Sequence, residues 1–158
     1  VRIIAHRGNL TGRDHGNENS PDKIEYVLNC TPFDVEIDVW RTSEGWLLGH
    51  DDPYYKVEYE FLINNRFWLH AKNGEAFRLL LEDERMNVFF HSYERYVLTS
   101  KGQVWTYYGE RLYGQSVCVM PERDNGFASG IYGVCTDFPY LMVERSGQSD
   151  MLRGYGSK

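Results

Sequence analysis

Two histidines, an arginine and two carboxylates stand where this sequence passes from apolar to polar. His6 and Arg7 close the run VRIIA just ahead of Gly8. Glu36 and Asp38 interrupt FDVEIDVW. His50 closes GWLLG and is followed by Asp51 and Asp52. In DVEID alternate side chains point to opposite faces of a strand, so Glu36 and Asp38 share one face while Val35, Ile37 and Val39 share the other. Burying two carboxylates in an apolar strand costs several kcal/mol unless a cation meets them. A divalent ion does so, and oxygen ligation suits Mg²⁺ or Ca²⁺. A solvated strand face with ordinary ion pairs is the competing reading of this strand alone. Arg7 offers a planar fork for phosphate oxygens. Two histidines flanking a phosphodiester form a sensible acid/base pair, although either one alone reads as well as a structural residue. In HAKN, His70 and Lys72 share a face. Lys72 can neutralise charge developing on a phosphate, or it pairs with Glu36 or Asp38.

These residues need a scaffold, and the order of apolar runs supplies one. VRIIAHRG reads as a buried strand ending at a glycine turn, and the polar stretch 9–20 as a loop. Ser20-Pro21 reads as a cap and first position of a helix over 21–29. FDVEIDVWRT, WLLGHDD, RFWLHAKN and NVFFHS read as strands, and GEAFRLLLEDERM as the clearest helix. YERYVLTS reads as one or two helical turns, and QVWTYYG, SVCVMPE and GVCTDFP as strands on short glycine-rich links. The tail ERSGQSDMLRGYGSK reads as frayed. Strands alternating with helices in the first half predict parallel β/α units.

Bulk properties bound the function. The 158 residues predict a single domain over 1–158. A net charge of −6 argues against a nucleic-acid partner. No run reaches the length of a membrane span, so stable membrane insertion is not expected. Cys30, Cys118 and Cys135 follow no metal or disulfide spacing, which favours a reducing, cytoplasmic setting. No signal-peptide pattern is legible, and the start at Val1 leaves N-terminal processing open. No P-loop or G-x-G-x-x-G occurs. Cys135 has no basic neighbour, and Ser20 serves better as a cap than as a nucleophile.

AHRG, NENS, FDVEIDVWRTSEGWLLGHDDP and, near the end, GVCTDFP together resemble the glycerophosphodiester phosphodiesterase family. The match is close and in order over the first fifty residues and at Thr136-Asp137-Phe138-Pro139, and loose between. The resemblance implies an α/β fold, a TIM-barrel-like (β/α)8 barrel with the site at the C-terminal strand ends. It implies hydrolysis of a small-molecule phosphodiester to a phosphomonoester and an alcohol. His6 and His50 would be the acid/base pair, Glu36 and Asp38 the metal ligands, and Arg7 the phosphate holder. The chain departs from the family in two ways. His70 stands where the family has a third carboxylate ligand, with Lys72 retained after it, and imidazole suits Mn²⁺ or Zn²⁺ better than Mg²⁺ or Ca²⁺. Such a barrel also takes about 250 residues, so a reduced seven-stranded barrel lacking several outer helices is expected, its bare strands favouring a homodimer. In the mechanism so implied, His6 is the base, His50 the acid, and Glu18 orients Arg7 or lies beside the metal, while the loop 9–20 gates the pocket. The alternative is an inactive relative that binds a phosphate ligand.

Overall fold

The computed structural model describes residues 1–124 and 129–155. Seven parallel strands form the frame. They are β1 (Arg2–His6), β2 (Asp34–Thr42), β5 (Phe67–Ala71), β6 (Val88–Phe89), β8 (Val104–Tyr107), β9 (Ser116–Val119) and β10 (Gly133–Thr136). Their ladders run β6-β5-β2-β1-β10-β9-β8, every neighbour parallel. Three further strands pair antiparallel. β3 (Gly45–Leu48) returns along the far half of β2, β4 (Tyr55–Val57) along β3, and β7 (Tyr96–Leu98) along β8. The result is a mixed α/β fold with one strongly curled, barrel-like sheet.

The alternation of side chains produces two apolar layers. On the concave side Ile4, Trp68, Phe89, Trp105, Val117, Val119 and Cys135 pack together. Phe89 and Trp68 place their rings 4.5 and 5.9 Å from that of Trp105, so β5 and β6 meet β8 across the interior. β6 and β8 share no ladder. The seam between them is spanned instead from the β7–β8 hairpin, where the Ser100 N–H donates to the Val88 carbonyl at 2.8 Å and the Val88 N–H donates to Ser100 Oγ at 2.9 Å. On the convex side Ile3, Ala5, Val35, Ile37, Val39, Leu69 and Val134 meet three helices. These are α1 (Pro21–Cys30), α2 (Gly74–Leu81) and α3 (Pro139–Ser146), which bury Ile24 and Val27, Ala76 and Leu80, and Met142 and Val143. No helix among the described residues is long and apolar enough to cross a membrane.

Four expectations need correction. YERYVLTS contains the strand β7 rather than helical turns, because Tyr96, Val97 and Leu98 pair with Thr106, Trp105 and Val104. The tail from Glu144 is not frayed throughout, since its first residues close a helix. Pro139 starts α3, and a 3₁₀ turn follows over Ser149–Leu152, while residues 156–158 lie outside the described residues. Ser20 occupies the N-cap of α1 but makes no side-chain capping bond. Asn73 is the cap with the bond, accepting from the Ala76 N–H at 2.9 Å while its own amide donates to the Arg41 carbonyl at 2.8 Å. Finally, the outward face of β8 and β9 is not bare apolar surface. Thr106, Ser116 and Cys118 there are all buried, and Thr106 and Ser116 share a hydrogen bond of 3.2 Å. β7 is more open, with Leu98 69% exposed.

Candidate active site and metal centre

The C-terminal ends of the parallel strands meet at one rim. β1 presents His6 there, β2 presents Glu36 and Asp38, and β5 presents His70 in register beside Asp38. β2 runs on past this rim, and its far half carries the β3–β4 arm. That arm brings His50 back over the opening. The turn depends on Gly49, whose φ is 152°; a Cβ there would lie 2.0 Å from the Asp52 carbonyl oxygen. The Gly49 N–H donates to the Asp38 carbonyl at 3.2 Å, and its own carbonyl accepts from Trp40 Nε1 at 2.6 Å. His50 Nδ1 then lies 2.7 Å from Asp51 Oδ1. His6 and His50 line one cavity of about 240 Å³, together with Arg7, Glu36, His70 and Asp137.

Arg7 is the tightest-held of these residues. Its backbone is left-handed at φ 52°, an uncommon and strained state for a side chain of this size. Two contacts hold it there: its N–H donates to the Glu36 carbonyl at 2.9 Å and reaches Glu36 Oε2 at 3.2 Å. The guanidinium then lies between Glu18, 3.1 Å from Nη1, and Asp38, 3.1 Å from Nε. The loop 9–20 does not hang free over the pocket. Asn9 donates to Glu18 at 3.0 Å and to Asp137 at 2.8 Å. Asn19 exchanges two 2.9 Å bonds with Asp38, one to its side chain and one from its backbone N–H. The loop is a wall of the site, pinned at both ends, and these bonds give no support to the gating expected of it.

Glu36, Asp38 and His70 are all buried and offer ligand atoms within 4.8 Å of one another. His70 Nδ1 is 3.0 Å from Asp38 Oδ1 and 3.8 Å from Glu36 Oε1. The other ring nitrogen lies 3.5 Å from the His91 carbonyl, the kind of outer contact that turns a ligating imidazole toward a metal. Asp38 Oδ1 is enclosed and has neighbours at ion-pair distance but no well-aligned hydrogen bond. In the same cluster four carboxyl groups, Glu18, Glu36, Asp38 and Asp137, meet the buried Arg7, the partly buried Lys72 and the half-exposed Arg13. An enclosed, under-bonded carboxylate oxygen beside a second carboxylate and an imidazole fits a divalent cation, and the mixed nitrogen and oxygen donors fit Mn²⁺ or Zn²⁺ best.

The protonation states follow from burial and charge. Burial and then the nearby Asp38 push the Glu36 carboxyl up, against His6, His70 and Arg7. Burial would also raise Asp38, but His70, Arg7 and Lys72 together hold it well below the usual carboxylate range. Asp137 is pulled down the same way, chiefly by His6 and Asn9 against its burial. Burial lowers His50, and Arg7 and Lys72 add to that against Asp38 and Asp51. His91 is lowered further than His50, to about 4, by burial and then by His70 and Lys72.

All eight residues singled out from the sequence therefore gather at this rim. Three of them act on the cavity through others: Glu18 holds Arg7, Asp38 meets Arg7 and His70, and Lys72 Nζ sits 3.4 Å from Asp38 Oδ1. Sequence reasoning missed Asp137 and His91. Asp137 binds His6 Nδ1 at 2.8 Å, but its basic partner lies 131 residues away in the chain, beyond any local pattern. His91 stacks on His70 with centroids 4.4 Å apart and planes 1° from parallel. It follows NVFF as His70 follows FWL, so the strand-end argument applied to His70 could have found it. Comparison with protein-family models, with curated proteins and with solved structures finds no match to this chain.

Proposed function

We propose that this chain is a divalent-metal-dependent phosphodiesterase built on a reduced (β/α)8-type barrel. The observation that carries the reading is the convergence of His6 and His50 on one cavity beside Arg7 and the Glu36–Asp38–His70 cluster. Glu36, Asp38 and His70 would hold the cation, which supplies Lewis-acid polarisation of a phosphoryl oxygen.

The protein's own groups do the rest. An ionised carboxylate only accepts hydrogen bonds. The contact to Asp137 therefore places a proton on His6 Nδ1 and leaves the Nε2 lone pair to take a proton from the attacking oxygen. His50 donates a proton to the leaving alcohol. Its lowered pKa favours the neutral form in the free protein, and the negative charge of a bound diester raises it again. Arg7, held by Glu18 and Asp38, presents a fixed positive charge to the phosphate.

One observation favours a second reading, a phosphate-ligand binding protein without turnover. Arg7 and Lys72 are already engaged by carboxylates, as residues of a static binding site can be. Hydrolysis of bis(p-nitrophenyl) phosphate separates the two. The phosphodiesterase reading expects turnover that stops with chelator and returns with Mn²⁺. Absence of turnover with Mn²⁺, Mg²⁺, Ca²⁺ and Zn²⁺ alike, alongside retained phosphate binding, would favour the binding protein.

A further inference from the structure

The cavity of His6 and His50 does not end at His91 and Tyr107. Those two residues also line an adjoining cleft of about 210 Å³, with Ser92, Tyr93, Glu94 and Arg95 as its other walls. The cleft is aromatic yet open. Tyr93 is 95% exposed and Tyr107 40% exposed, and the Tyr107 ring is braced by Tyr108 at 4.5 Å. Its polar groups are held in place. Glu94 Oε2 accepts from the Ser92 and Tyr93 N–H groups at 2.8 and 3.0 Å, which leaves the other carboxylate oxygen unbound by that turn. Arg95 is fixed by Glu110 at 2.7 Å.

This composition discriminates among ligands. No aliphatic side chain lines the cleft, so an acyl chain finds little to bury against. Arg95 disfavours a quaternary ammonium head group, and Glu94 disfavours a second anion. A neutral ring with one apolar face and many hydroxyls matches both the tyrosine surfaces and the acceptor and donor groups between them. We propose that this cleft is a subsite for a sugar ring carried on the phosphodiester, so that the substrate is a glycosyl phosphodiester. The proposal rests on the phosphodiesterase reading of the neighbouring cavity.

Calorimetric titration of the full chain with Mn²⁺ tests it, using methyl glucose-1-phosphate diester, dimethyl phosphate, glycerophosphocholine and a uridine methyl phosphodiester as ligands. The glycosyl diester should bind at least about tenfold tighter than dimethyl phosphate. Tyr93→Ala, at a surface position that leaves the core untouched, should erase most of that advantage, and Tyr93→Phe should keep it. Equal affinities for the glycosyl and dimethyl diesters, an undiminished advantage in Tyr93→Ala, or tighter binding of the choline or uridine ligand would each overturn the proposal. Methyl glucoside, followed by chemical-shift changes at Tyr93, separates the two levels. Saturable binding there without binding or turnover of any diester would retain the sugar subsite and sink the phosphodiesterase reading. Binding of neither methyl glucoside nor any diester would overturn the sugar subsite as well.

Discussion

His6 and His50 differ in what holds them, and that difference assigns their roles. His6 is buried against Asp137, whereas His50 rides on a turn with the exposed Asp51 as its partner. Positioned acid/base groups contribute about 10²- to 10⁴-fold, so His6→Ala and His50→Ala should each lower kcat by about 10²-fold or more, and their effects should not add. A p-nitrophenyl leaving group needs little protonation. His50→Ala should therefore recover on such an ester and His6→Ala should not; the reverse pattern would exchange the two roles. Asp137→Asn should keep the fold yet lose kcat, since the amide can present its N–H to His6 Nδ1 and favour the wrong tautomer. Unchanged kcat in that variant would remove Asp137 from the mechanism. At this scale the sequence was informative wherever residue type and strand-end position coincide, as for His6, Glu36, Asp38, His50 and His70. It gave no role to Asp137, met only within the motif Thr136-Asp137-Phe138-Pro139, or to Asn9, because their contacts to each other and to His6 join the two ends of the chain.

β2 is the element on which the site turns. Its first half lies between β1 and β5 and sets Glu36 beside His6 and Asp38 beside His70, while its second half carries the β3–β4 arm that returns His50. Gly49→Ala should therefore displace His50 without dismantling the metal cluster. The expected result is a kcat loss similar to that of His50→Ala with Mn²⁺ affinity unchanged; wild-type kcat would show that the arm tolerates the Cβ. Ile37, fully buried on the opposite face of the same strand, gives the contrasting case. Ile37→Ala should cost about 2–5 kcal/mol of stability, read from the urea midpoint, and a loss well under 1 kcal/mol would place that face outside the core. The alternation of DVEIDV made both faces of β2 legible in advance. β7 was not legible, because YERYVLTS is polar enough to pass for helix and becomes a strand only by pairing with β8. α3 was missed because only Pro139, Met142 and Val143 in it are buried, a stripe too thin to stand out against the polar residues around it.

At the scale of the whole molecule, the curled sheet separates an outer apolar layer that meets the helices from an interior that is apolar toward one end and ionic at the rim. The ionic rim links stability to pH and to metal. The His91 pKa is about 4 in the fold, against about 6.5 in an unfolded chain. Between those values the unfolded chain binds a proton that the fold does not, so this contribution is complete above about pH 6.5 and is lost as pH falls toward 4. In chelator-treated protein the urea midpoint should fall between pH 7 and pH 5, and fall less in His91→Phe, which keeps a ring against His70. An equal fall in both proteins would assign the effect to other groups. The parallel β/α units of the first half were legible from alternating strand and helix patterns and the later strands from apolar runs on short links, whereas the seam between β6 and β8 was not, because it is made by side chains and a hairpin rather than by a ladder. The most direct test of the account joins its metal and its chemistry in one titration. Metal-free protein is titrated with Mn²⁺ while ion binding and bis(p-nitrophenyl) phosphate turnover are followed together, in wild type and in Glu36→Gln. The account predicts one ion per chain, turnover that rises in step with occupancy, and both reduced by about tenfold or more in the variant. Turnover that persists without metal, or binding of an ion that leaves the protein inert, would contradict it.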